Sequence, residues 1–242
     1  MKNKVKFLLQ KSLGLKNYLY VFALFKIKTL KSDKNENDFF LFLSLLKKGQ
    51  GAVLDIGANL GIMTVHLAKK LPTSTIHAFE PMPDNLSILK RVVNKFKLKN
   101  VHIHDIALGD TVGTATMILP LQGQTVMQGL SHIKHDSIKD WNQGKEFQVK
   151  IECLDNVLQD EAIQAIKIDI ENFEYFALKG AENIIALNKP IIYAELWDNN
   201  NRKQCFEYLQ TLGYQAYVNH KSKVTSYDEN VHQTQNFIFI AD

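Results

Sequence analysis

Cysteine is scarce in this chain, which has only Cys153 and Cys205 among its 242 residues. They lack paired spacing, so a disulfide framework and a zinc site are excluded and a reducing, cytoplasmic setting is expected. Long apolar runs are missing too. The stretch Tyr18 to Phe25 is too short to span a bilayer, and no small-residue cleavage site follows it, so neither a transmembrane helix nor a secretory signal is expected. No internal repeat or low-complexity tract is visible. Acids are absent from residues 1–32, which carry eight lysines (Lys2, Lys4, Lys6, Lys11, Lys16, Lys26, Lys28 and Lys31). The rest of the chain holds 21 basic against 25 acidic residues, a mildly acidic body behind a basic arm. A nucleic-acid substrate would call for positive charge around the site itself, so nucleic acid is not expected as a partner.

What is present reads as an ordinary globular protein. Hydrophobic residues make up 45% and charged residues 22%, and the length suffices for a doubly wound sheet. The most informative stretch is 53–80. Val53, Leu54 and Ile56 read as a buried strand running into V-L-D-I-G-A-N-L-G, where Gly57 and Gly61 allow a sharp turn and a close backbone approach to a ligand. Leu60, Met63, Thr64, Leu67 and Leu71 then recur near helical spacing until Pro72 stops the helix. A second apolar strand ends on Glu80 and Pro81. An acid about 20 residues beyond a glycine turn can accept both hydroxyls of a ribose.

The turn also discriminates between nucleoside ligands. A dinucleotide site needs G-x-G-x-x-G, but Ala58 and Asn59 follow Gly57 here, and Asp55 lies two residues before it. A carboxylate at that strand end would repel a pyrophosphate and suits an ammonium group. S-adenosylmethionine has the ammonium and the ribose and no phosphate, so it is the cofactor these residues point to.

Strands and helices alternate along the rest of the chain. Strands are expected at 52–56, 75–79, 101–105, 114–119, 146–152, 163–169, 190–195, 214–218 and 236–241, with the last two forming an antiparallel hairpin. Helices are expected at 60–71, 84–96, 173–187 and 201–212, and Gln122 to Asn142 reads as a polar loop. The pattern predicts an α/β fold with a doubly wound, mainly parallel seven-stranded sheet in one domain, 38–242, behind a basic helical arm, 1–37. The arm fits a helical pair packed on the domain or on a partner chain, including a second copy. It also fits an interfacial helix near anionic lipid. Asp55, Glu80, Asp105, Asp169 and Glu195 all fall at carboxyl ends of strands, where such sheets bind ligands.

Five segments, in order and spacing, resemble the FkbM family of class I S-adenosylmethionine-dependent methyltransferases. They are V-L-D-I-G-A-N-L-G (53–61), A-F-E-P-M-P-D-N (78–85), H-D-I-A-L-G (104–109), I-K-I-D-I-E-N-F-E (166–174) with L-K-G-A-E (178–182), and P-I-I-Y-A-E (190–195). The resemblance covers about residues 50–200 and implies methyl transfer to hydroxyls of small molecules, glycans or lipid-linked saccharides. It also implies that Asp105 and Ile106 lie at the adenine amino group. Asn172 replaces the usual glycine of D-x-E-G-x-E, and asparagine is the residue that best keeps a left-handed turn there.

An oxygen acceptor must lose a proton, which calls for a base or a metal. Asp169, Glu171 and Glu195 are the candidate acids, since carboxylates crowded at strand ends raise one another's pKa or recruit a cation. His132, in the irregular loop, is a further candidate base, with His135 nearby. His102 and His104 alternate along a strand and fit sheet packing better than a metal pair. The N-P-P-[YF] segment of amino-methylating nucleic-acid enzymes is absent, with D-I-E-N in its place, and neither cysteine is placed as a C5 nucleophile.

Overall fold

The computed structural model describes residues 9–122, 125–136, 138, 141 and 143–241. Parts of the expected loop 122–142 therefore lie outside the described residues. The ligand-bearing half of the sheet is built from β1 (Ala52–Ile56), β2 (Ile76–Phe79) and β3 (Val101–His104), with β9 (Ile163–Ile168) and β10 (Ile191–Glu195) on the other side of β1. These five strands run parallel in the order β10-β9-β1-β2-β3. Antiparallel β13 (Asn236–Ala241) lies between β10 and β11 (Tyr214–His220).

Among the described residues the sheet has eight strands, not seven. The extra one, β12 (Lys223–Ser226), pairs antiparallel with β11 at the edge. Lys221 and Ser222 turn the chain with φ of 51° and 63°, consistent with a tight two-residue hairpin, and the Ser222 N–H donates to Asn219 Oδ1 at 2.9 Å. No glycine or Asn-Gly pair marks that turn in the sequence.

Every residue of β1 is buried, because helices cover both faces of the sheet. On one face Phe39 and Phe42 of α2 (Asn37–Leu45) pack with Val53, Ile76, Tyr193 and Ile238. On the other, Leu54, Ile56, Ile166 and Ile168 meet Leu178, Ile185, Cys205 and Leu209. Those last four come from α6 (Glu174–Lys179), α7 (Glu182–Asn188) and α8 (Asn200–Thr211), which follow the short α5 (Leu154–Val157) in the chain. The single helix expected at 173–187 is thus two. Gly180 separates them, and a Cβ there would collide with the Gly109 carbonyl, so the chain bends where the two backbones touch.

The arm's main helix, α1 (Leu15–Thr29), buries Leu19, Ala23 and Ile27. They pack against Leu60, against Val65 of α3 (Ile62–Lys70), and against Ile88 and Val92 of α4 (Pro83–Lys95). Its outward side leaves Val21, Phe22 and Phe25 exposed at 55%, 39% and 62%. Among the described residues no helix is long and apolar enough to cross a membrane.

A second sheet rises from the carboxyl end of the first. β5 (Gly113–Gln122) and β8 (Gly144–Glu152) form its antiparallel hairpin, flanked by β4 (Ala107–Leu108), β6 (Thr125–Val126) and β7 (His132–Ile133). The expected polar loop therefore holds two short strands and a 3-10 turn, Gln128–Leu130. Met117, Leu119, Ile133, Val149 and Ile151 pack down on Met82 and Phe173, which fixes this insert over the strand ends.

Candidate active site

The chain leaves β1 through a turn in which Gly57, Asn59 and Gly61 have φ of 77°, 50° and 80°. A Cβ on Gly57 would strike the Asp169 carbonyl, so only glycine fits where β1 and β9 end together. The N–H groups of Gly57 and Ala58 donate to the Phe79 carbonyl at 3.1 and 2.9 Å. Glu80 closes the same unit from the other side. Its Oε2 accepts from the Asn59 N–H at 2.8 Å, and its Oε1 accepts from the Met82 N–H at 2.8 Å and from Asn85 Nδ2 at 3.3 Å. Burial pushes the Glu80 carboxyl up to about 7, against these hydrogen bonds, which favour the charged form.

Asp55 does not reach the crevice that the sequence assigns to it. It is fully buried, accepts from Thr64 Oγ1 at 2.6 Å, and faces the Lys167 ammonium at 3.4 Å across the β1–β9 register. Lys167 also donates to the Gly57 carbonyl at 2.9 Å and lies 3.9 Å from Asp169. Burial alone would push this ammonium down, but the carboxylates of Asp55 and Asp169 outweigh it and hold the pKa above its ordinary value. Asp55 therefore serves the turn from beneath. The ammonium it was expected to receive from a ligand is already supplied by the protein.

Beyond β9 the chain passes through Glu171 and Asn172 with φ of 56° and 75°. Asn172 keeps the left-handed turn, and Glu171 stores backbone strain at the mouth of the site. Glu174 accepts from the Ile170 N–H at 2.9 Å and from Asn201 Nδ2 at 2.6 Å, and its carboxyl is pushed up to about 7 mainly by burial. Glu195 stands one residue beyond the pairing of Ala194 with Ile168, beside Asp169. Burial, then Asp169, raise the Glu195 carboxyl to about 7. Burial, then Asp169 and Glu195, push Glu171 up to about 9. Glu171 is accordingly protonated at neutral pH.

Two clefts meet over these strand ends. The first is lined by Gly57, Asn59, Phe79, Glu80, Pro81, Met82, Asn85, Ile106, Gln128, Asp169 and Glu171, among others. The second runs under the arm, along Tyr18, Phe22, Lys26, Leu30, Glu36, Ala58, Leu60, Met63 and Lys167. Gly57, Asn59, Gln128, Gly129 and Asp169 border both. Of the expected residues, Asp105 is exposed and lines neither cleft, while its neighbour Ile106 does. Gly61 caps α3 beneath the turn, and Glu195 is half-buried without lining either cleft.

His132 is turned away. It is buried in β7 with Nδ1 2.9 Å from the Leu130 carbonyl, while Ser131 and Ile133 on either side line the first cleft, as strand alternation requires. His135 packs on the rings of Phe173 and Phe176. His104 packs face to face on Phe79, and its Nε2 lies 2.9 Å from His77 Nδ1. Burial and the neighbouring histidines push the His104 imidazole down to about 4. Among the described residues no group of His, Cys, Asp and Glu could hold a metal ion.

Sequence reasoning gave no role to Lys167, Gln128 or the arm's cleft-lining residues. Lys167 carried a signal, since a lone lysine inside a continuous apolar strand needs a buried partner. The arm carried none, because nothing local says which face of α1 meets a turn some forty residues away.

The sheet order and the paired clefts define a Rossmann-like methyltransferase fold. A crystal structure of methyltransferase FkbM from Methylobacillus flagellatus KT shares it, with a TM-score of 0.56 at 17% identity over 81% of this chain and 45% of that one. The chain belongs to the methyltransferase FkbM domain family, whose model matches residues 55–228. Two curated relatives are Methyltransferase 1 of Beauveria bassiana (strain ARSEF 2860), 26% identical over 145 residues, and Methyltransferase sdnD of Sordaria araneosa, 25% identical over 157. Each match covers 54% of this chain, and the chain spans 58% and 60% of the length of those relatives.

Two predictions follow from the buried charges. Lys167→Met leaves Asp55 buried without its cation and should cost about 3–5 kcal/mol in urea unfolding. The double variant with Asp55→Asn should recover a large part of that loss. An unchanged unfolding midpoint in Lys167→Met would contradict the pairing. The second concerns pH. The folded pKa of Glu171 is raised from 4.5 to about 9, so the stability it contributes is present below 4.5 and is lost as pH rises through about 9. Unfolding midpoints of the native protein should therefore fall more steeply toward that alkaline end than those of Glu171→Gln. Parallel curves would refute the assignment.

Proposed function

We propose that this chain transfers a methyl group from S-adenosylmethionine to a hydroxyl oxygen of a saccharide or saccharide-containing metabolite. When bound, that cofactor supplies an electrophilic methyl on a sulfonium. The residues of the first cleft suit it. The Glu80 carboxylate, anchored by three donors, keeps lone pairs for the two ribose hydroxyls. Among the described residues Asn85 Oδ1 is buried there without a hydrogen-bond partner, as an adenosyl group with its own donors would require. Ile106 and Phe79 offer apolar surface for a base. The bare Gly57 turn allows backbone to approach the ligand closely.

The observation that carries the reading is the position of Asp169. It borders both clefts, so it faces the point where a methyl donor in one would meet an acceptor in the other. Glu80 and the Gly57 turn would hold the donor, whose chemistry would be transfer of its methyl to the acceptor oxygen with the S–C electron pair left on sulfur. Asp169 takes the hydroxyl proton. Glu171, protonated, has no part as a base but can donate a hydrogen bond to the acceptor, and Glu195, which lines neither cleft, acts through Glu171, whose carboxyl it helps to raise. An oxygen acceptor fits this group of acids, and the polar insert above them is the kind of loop that carries specificity. The fold supplies the orientation, which in-line displacement needs most.

The test is mass spectrometry of glycans and lipid-linked saccharides from cells with the gene, without it, and carrying Asp169→Asn. Loss of one methylene from a carbohydrate is expected in the last two. In vitro, Asp169→Asn should lower kcat by about 10²–10⁴-fold. An unchanged carbohydrate profile beside a lost methyl on protein or RNA would refute the acceptor class.

A further inference from the structure

The second cleft contains a polar side chain with nothing to bind. Gln128 is 3% exposed, and among the described residues neither its Oε1 nor its Nε2 has a hydrogen-bond partner. A buried carboxamide left this way costs stability unless a ligand completes it. It is held by the 3-10 turn Gln128–Leu130 at the junction of the two clefts, on the same rim as Asp169. One amide acceptor beside one amide donor matches a hydroxyl, which gives and accepts at a single atom.

The rest of that cleft has a different character. Tyr18 and Phe22 of the arm, their rings stacked at 6.2 Å, form an apolar wall with Leu30 and Met63. Phe22 is 39% exposed at the mouth, and Val21 and Phe25 carry the apolar surface outward from it. Lys26 pairs within the arm with Asp33 at 2.8 Å and Glu36 at 3.7 Å, while Leu19, Ala23 and Ile27 seat the arm on Leu60, Val65, Ile88 and Val92 beside the cleft. The lining is thus polar where Gln128 and Asp169 stand and apolar along Tyr18, Phe22, Leu30 and Met63, with the mutually paired Lys26 and Glu36 also on it. A free sugar would fill the first part and leave the second wet.

We propose that the arm-side cleft is the acceptor subsite and that its ligand is an amphiphile. A hydroxyl-bearing head lies against Gln128 and Asp169, and an apolar tail runs along Tyr18 and Phe22. This rests on the methyl-transfer reading and specifies its acceptor as a hydroxylated head joined to a hydrocarbon chain or ring. The arm thereby becomes part of the site, as the acceptor's apolar wall.

Calorimetry separates the two ideas. S-adenosylhomocysteine is titrated first, and the complex is then titrated with octyl β-glucoside below its micelle concentration, and separately with glucose. The expected result is binding of octyl glucoside with no detectable binding of glucose. Phe22→Ser, a change at an exposed position, should weaken octyl glucoside by about fivefold or more, the scale of part-burying one ring, and leave S-adenosylhomocysteine unchanged. Gln128→Leu should weaken octyl glucoside as well, through the lost head contact. If S-adenosylhomocysteine binds but octyl glucoside does not, if glucose binds as tightly, or if either variant behaves like wild type, the amphiphile subsite is wrong. Failure of S-adenosylhomocysteine itself would overturn the methyl-transfer reading and this inference with it.

Discussion

A lysine buried between two parallel strands holds the ligand end of this sheet in shape. Taking the Lys167 ammonium out of water costs several kcal/mol, and Asp55, Asp169 and the Gly57 carbonyl offset that cost together. The three partners belong to β1, to the end of β9 and to the glycine turn. One charge therefore ties the strand that starts the site to the strand that finishes it. The position of Asp169, which borders both clefts, depends on this contact. So does the shape of the turn that Glu80 grips from the other side.

The acids above this unit follow from the same crowding. Four carboxylates, Asp169, Glu171, Glu174 and Glu195, share a small, partly dry region with one buried cation. Burial and mutual repulsion push Glu171 up to about 9, and Glu174 and Glu195 to about 7. Asp169, 3.9 Å from the ammonium, is the one of the four that borders both clefts. The division of labour among chemically similar side chains comes from depth and neighbours, which residue type alone does not encode.

That distinction explains what the sequence could and could not reveal. The strands of the main sheet were legible because burial on both faces leaves largely apolar runs, and β1 and β13 fall at the expected residues. The glycine turn and Asn172 were legible because few residues accept left-handed backbone. Strand β12 was not, since its turn uses Lys221 and Ser222 in place of the usual signals. The break between α6 and α7 was not, because Gly180 bends the chain to meet Gly109, a contact between residues far apart in the chain. Asp55 was placed at the right strand end but given the wrong neighbour, since the register that sets Lys167 opposite it is a tertiary fact. His132 failed for a related reason: a loop was expected, and a strand's alternation turned the ring inward. The basic arm could be read as helical, yet which of its faces would meet the domain depended on the surface it found there.

The central claim is that the cleft between Glu80 and the Gly57 turn holds an adenosyl ligand by its ribose. Calorimetry of S-adenosylhomocysteine with native protein and with Glu80→Ala tests it most directly. The account predicts saturable one-to-one binding to the native protein and at least about tenfold weaker binding to the variant, the loss expected for hydrogen bonds to a charged acceptor. Absence of binding to the native protein at millimolar ligand, or tighter binding of a nicotinamide dinucleotide, would contradict it.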